Sequence, residues 1–142
     1  MSTLQRKVMI VPCSGIGKPY GTVSRMTAYQ VTEDDRPEQT RLVPLALLVM
    51  GDAEYGQMIA DSPAITIDGC TLACATKMVQ LKGGQVARDF AVLEAFRRHR
   101  DLKPQGIAEL NEGGQKLALV LAEEVTAVVD GLISGKKGGE NA

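Results

Sequence analysis

The sequence predicts an α/β domain: a mostly parallel sheet with flanking helices, in Rossmann-like or flavodoxin-like layering. Three observations carry this. The runs Val8-Met9-Ile10-Val11 and Ala64-Ile65-Thr66-Ile67 have the mostly apolar pattern of strands buried on both faces. Each runs into a glycine-containing turn and then into apolar residues at helical spacing. Strand-like and helix-like segments alternate along the whole chain, as a parallel sheet requires. A chain of 142 residues is long enough for one domain with a real core, expected over residues 1–134.

In chain order, Val8–Val11 is the first strand. It ends in Pro12-Cys13-Ser14-Gly15-Ile16-Gly17-Lys18-Pro19-Tyr20-Gly21, whose glycines allow tight turns and expose backbone N–H groups. Thr22 is the expected N-cap of a helix reaching about Gln30. Glu33 to Gln39 is polar and reads as a surface loop. A short strand is expected near Arg41–Val43, because Pro44 does not suit a central strand. An apolar helical segment follows, with interruptions at Gly51 and Gly56, until Ser62-Pro63 breaks it.

After the strand Ala64–Ile67 comes Asp68-Gly69-Cys70-Thr71-Leu72-Ala73-Cys74, the turn around which the chain is organised. Leu72, Ala75, Met78 and Val79 give the next helix, closed by Lys82-Gly83-Gly84. Val86–Phe90 reads as a strand and Ala91–Arg100 as a helix, with Asp101–Gly106 as connector. From Asn111 the stripe Leu117, Leu121, Val125, Val128 and Leu132, widened by Val120 and Val129, marks the clearest helix. Residues 135–142 read as a disordered tail.

Composition narrows the function. With 16 basic and 17 acidic residues, net charge −1 and no tryptophan, nothing argues for nucleic acid. No stretch approaches the ~20 apolar residues of a membrane span. Met1 to Lys7 has no signal-peptide pattern, and the expected location is cytoplasmic. Three cysteines, an odd number, suit metal or thiol chemistry there better than a disulfide framework.

The glycine-rich loop fails three nucleotide or phosphate motifs. Tyr20 stands where a dinucleotide fingerprint needs its third glycine. Gly17-Lys18 lacks the partner glycine of a P-loop, and Pro19 stands where a cysteine phosphatase needs arginine. A smaller anion at the exposed N–H groups stays open.

The cysteines carry the chemistry. Cys13 and Cys70 each follow a strand, and in parallel sheets the site lies beyond the strands' carboxyl ends. If those strands are neighbours, Cys13, Cys70 and Cys74 meet at one edge. Cys70 is expected at the helix start and Cys74 one turn later on the same face. Three thiolates suit zinc or another soft metal ion with an open fourth position. Packing of small buried cysteines explains the same residues equally well. A reactive thiol at Cys13 or Cys70 gives a sulfur-handling or redox enzyme instead, although the single histidine, His99, lies in a basic helix end that reads as solvated. A third reading is an interaction subunit docking through its C-terminal helix.

Cys13-Ser14-Gly15 after the first strand, with Asp68-Gly69-Cys70 and Cys74, resembles the DGC domain family, over about Val8 to Lys82. The resemblance implies zinc bound by four cysteines, of which Cys13, Cys70 and Cys74 match three. The fourth falls near Val43-Pro44-Leu45, which holds no cysteine, and the region after Gly84 is unlike the family's usual ending. Asp52 or Glu54 are candidates for an oxygen ligand in its place, or else ordinary turn carboxylates. Asp68 reads as a turn and capping residue.

Overall fold

The computed structural model describes residues 7–15 and 17–134. Four strands, β1 (Val8–Pro12), β2 (Thr40–Leu42), β3 (Pro63–Asp68) and β4 (Gln85–Ala91), form one sheet in the order β2-β1-β3-β4. All three pairings are parallel, with Ile10 beside Leu42 and Ile65, and Ile67 beside Phe90. This is the expected α/β architecture. The order follows that of flavodoxin-like sheets, whose ligands bind where the strand order reverses, here between β1 and β3.

Helices α1 (Pro19–Tyr29), α2 (Leu45–Met50), α3 (Ala53–Asp61), α4 (Cys74–Leu81), α5 (Val92–Arg98) and α6 (Glu112–Ser134) cover the sheet on both faces. On one face Ile10, Ile65 and Ile67 pack with α1, α5 and α6. On the other Met9, Val11 and Ala64 pack with α2, α3 and α4. Alternate residues of β1 and β3 thus feed opposite cores, which is why these strands read as continuous apolar runs.

Helix α6 buries Leu117, Leu121, Val125 and Val129 completely, with Val128 and Leu132 partly buried beside them. Asn111 starts it, its side-chain oxygen accepting the Gly114 N–H at 2.8 Å. The stripe is therefore spent on the chain's own core.

Several local expectations change. Helix α1 begins at Pro19, not after Thr22, because proline in the first turn presets the helical φ. Thr22 is buried within it and donates to the Ile107 carbonyl at 2.6 Å. Beyond Tyr29 the chain widens into π-helical turns over Gln30–Asp35 instead of a loop at Glu33. Buried Val31 anchors these turns, and Gln30 donates to Asp35 at 3.0 Å. Gly51, at φ 84°, does end α2, whereas Gly56 lies inside α3 and interrupts nothing. Gly83, at φ 81°, follows α4 as expected. The tail expected from Gly135 to Ala142 lies outside the described residues.

Candidate functional site

Strands β1 and β3 end side by side, and the residues that follow them build the site. Cys13 comes directly after β1. Its backbone N–H donates to the Ile67 carbonyl at 2.9 Å and lies 3.2 Å from the Ser24 hydroxyl. Ser24, fully buried on α1, itself donates to the Ile67 carbonyl at 2.5 Å. One hydroxyl therefore ties α1 to the ends of β1 and β3. Sequence reasoning missed Ser24. Its signal was a small-residue face on α1, with Gly21, Ser24 and Ala28 at helical spacing.

Three glycines let these segments touch. A Cβ on Gly21 would fall onto the Gly15 carbonyl, and one on Gly69 would stand 3.0 Å from the Gly21 nitrogen. The first turn of α1 thus sits against both the Cys13 loop and the Asp68–Gly69 turn. The Arg25 guanidinium donates to the Ser14 carbonyl and closes the loop from the other side.

Cys13 is 7% exposed, and its sulfur accepts the Gly69 N–H at 3.2 Å. Burial pushes its thiol above the ordinary 9.0. The Gly69 N–H and Ser24 hydroxyl pull it partly back, while the neighbouring Asp68 and Cys70 push it up again. Cys13 therefore holds its proton at neutral pH, the opposite of an activated nucleophile.

Asp68 is nearly inaccessible, and both its oxygens are engaged. One accepts the Ala75 N–H at 2.8 Å. The other accepts the Thr76 N–H at 3.2 Å and the Thr76 hydroxyl at 2.7 Å. The expected capping role holds, although Asp68 reaches the helix from six residues before Cys74. By tying down the amides of Ala75 and Thr76 it fixes the start of α4 at Cys74. Cys70 is consequently not in the first turn of that helix, which corrects the expected placement of Cys70 and Cys74 on one helical face. Between them Ala73 adopts a left-handed conformation, φ 53° and ψ 48°. Both cysteines are exposed.

The structure does bring the three cysteines to one place. Cys13, Cys70 and Cys74 line a single cavity of about 450 Å³, together with Lys18, Asp68, Leu45, Val49, Leu72 and Met78. Asp52 and Glu54 do not line it. Asp52 caps α3 by accepting the Tyr55 N–H at 2.9 Å, and Glu54 is exposed in the first turn of that helix. His99 sits at the end of α5, away from this cavity lining. Among the described residues, no three His, Cys, Asp or Glu side chains are already gathered closely enough to hold a metal ion. The donor set fits a soft ion in kind, three sulfurs and no free carboxylate. Gathering them requires Cys70 and Cys74 to move in over Cys13.

Residues 9–130 match the model of the DGC domain. The chain belongs to the DGC domain family. The match covers most of the chain and runs well past Lys82, where the resemblance was expected to end. The β4, α5 and α6 segments are therefore part of this DGC domain. At Val43-Pro44-Leu45, where the resemblance puts a fourth cysteine, Val43 is fully buried and Leu45 lines the cysteine cavity. No curated protein and no solved structure matches the chain. Among the described residues, no helix is long and apolar enough to cross a membrane.

Proposed function

We propose that this DGC domain binds a soft metal ion, zinc or another thiophilic cation, through Cys13, Cys70 and Cys74. One observation carries the reading: every cysteine of the chain lines one cavity, although Cys13 and Cys70 are distant in sequence. Cysteines that merely pack have no reason to converge at the carboxyl ends of two neighbouring strands, two of them exposed.

The roles follow from the setting. Cys13 is the fixed donor, held by Ile67, Ser24 and Gly69. Cys70, on the turn before α4, and Cys74, the first residue of α4, are the exposed donors. A bound soft ion would supply Lewis acidity or a structural clamp. Each donor must lose a proton to bind, so affinity falls in acid. Burial makes Cys13 slow to give up its proton.

The test is metal content after anaerobic purification, followed by zinc titration of the wild type and of Cys70→Ser. Stoichiometric metal in the wild type, lost in the variant, supports the proposal. Metal-free protein that takes up no zinc and has one fast-alkylating cysteine refutes it and favours a thiol enzyme. Cys13, buried and protonated, is a poor candidate for that nucleophile.

A further inference from the structure

The walls of the cavity, not only its donors, restrict what it takes. Thiol donors from this chain number three. His99 lies outside the cavity, and both oxygens of Asp68 are committed to α4. The remaining wall is mostly apolar, Leu45, Val49, Leu72, Ala73 and Met78, with Ser14, Gly15 and Gly69 beside the cysteines. Lys18 is the only cation lining the cavity among the described residues, and it is exposed at the rim.

Zinc fits such a wall poorly. Three thiolates around a divalent ion leave a net charge of −1 and an open position that wants a water or another polar donor. Both would lie against a mostly apolar wall, where an unpaired charge or unbonded polar group is costly. A trivalent group-15 metalloid has the complementary chemistry. It takes three thiolates, the complex is neutral, and the fourth direction holds a lone pair that asks for no donor.

We propose that the three-cysteine cavity prefers a three-coordinate trivalent metalloid, of the arsenic(III) or antimony(III) class, over zinc. This rests on the reading of Cys13, Cys70 and Cys74 as one donor set. For arsenous acid the step is balanced without redox change. Three As–OH bonds and three S–H bonds break, three As–S bonds form, and three waters leave. Cys70, exposed on the turn, and Cys74, exposed at the start of α4, close on the buried Cys13. Leu72 on that turn and Val49 on α2 are 64% and 58% exposed and line the same cavity.

The experiment counts free thiols by alkylation and mass measurement, after adding one equivalent of sodium arsenite, of zinc chloride, or of both. With arsenite all three thiols should be protected at one arsenic per chain. With both ions present the arsenic complex should dominate. Cys74→Ser, at an exposed position, should retain the fold, measured by circular dichroism. It should lose arsenite affinity by more than the ~10–100-fold that a supporting residue around a metal typically costs. Zinc protection of all three thiols with no arsenite protection overturns this inference and leaves the soft-metal reading standing. Protection by neither ion overturns both. Arsenite binding that is unchanged in Cys74→Ser means that only two thiols engage, and overturns the three-coordinate site.

Discussion

Ala73 is where single-residue geometry bears most directly on the site. It is the one non-glycine residue at positive φ among the described residues, and it sits between two proposed donors. A left-handed L-residue costs about 1–2 kcal/mol. Replacing it by glycine removes that penalty but adds about 0.5–1 kcal/mol of chain entropy to lose on folding. We therefore expect Ala73→Gly to stabilise the apoprotein by about 0.5 kcal/mol, read as a higher urea midpoint. A lower midpoint would mean that the methyl group makes contacts outweighing the strain. The cysteines and Asp68 were legible in the sequence because their types announce their chemistry. Ala73 was not, since alanine carries no preference for the left-handed region. Nor was the displacement of Cys70 from α4, which depends on Asp68 reaching amides seven and eight residues ahead. Asp52 and Glu54 looked like ligand candidates from their nearness in sequence to the missing cysteine. Only the fold shows that Asp52 spends its carboxylate on α3.

Among the elements, α6 and the strands were readable for one reason: their apolar periodicity is set by burial on known faces. Leu121 is fully buried. An aspartate there puts a carboxylate into hydrocarbon at a cost of several kcal/mol, against a typical total stability of ~5–15 kcal/mol. Leu121→Asp should therefore unfold the domain, seen as loss of the cooperative melt. A folded monomer with unchanged melting would mean that the stripe does not hold the core. The π-helical turns after α1 were not legible. They depend on distant partners, including the salt bridge of Arg36 to Asp130 on α6 at 2.7 Å. Arg36 holds the Asp130 carboxyl below its ordinary 3.8 through a hydrogen bond and charge. A depressed carboxyl contributes stability that is full above the unfolded value and disappears as pH falls through the folded one. Because the pair is exposed, the contribution is small. Asp130→Asn should accordingly be slightly less stable than the wild type at neutral pH, and the gap should close on the acid side of 3.8. A gap that stays constant with pH would show that the ion pair is not its source.

For the whole molecule, the site lies where two segments distant in sequence meet, the loop after β1 and the turn after β3. Sequence reasoning reached this arrangement because two buried parallel strands followed by cysteines have few ways to be placed. It did not reach the cavity wall, which comes from α2 and α4 packing side by side. The arrangement has a thermodynamic consequence. In the unfolded chain Cys70 and Cys74 remain close, so that pair binds a soft ion with or without the fold. Cys13 joins them only when β1 pairs with β3. Binding stabilises the native state only through affinity that the unfolded chain lacks. The thermal shift therefore reports the recruitment of Cys13. At a free zinc concentration one hundred times the dissociation constant, native-only binding contributes about 2.7 kcal/mol. For a chain of 142 residues that corresponds to a rise in melting temperature of roughly 10 °C. Cys13→Ser should keep some zinc binding through Cys70 and Cys74 yet lose most of this shift. Cys70→Ser or Cys74→Ser should reduce both the binding and the shift. If Cys13→Ser melts with the full zinc-dependent shift, Cys13 is not a ligand, and the convergence of three cysteines on one cavity has another cause.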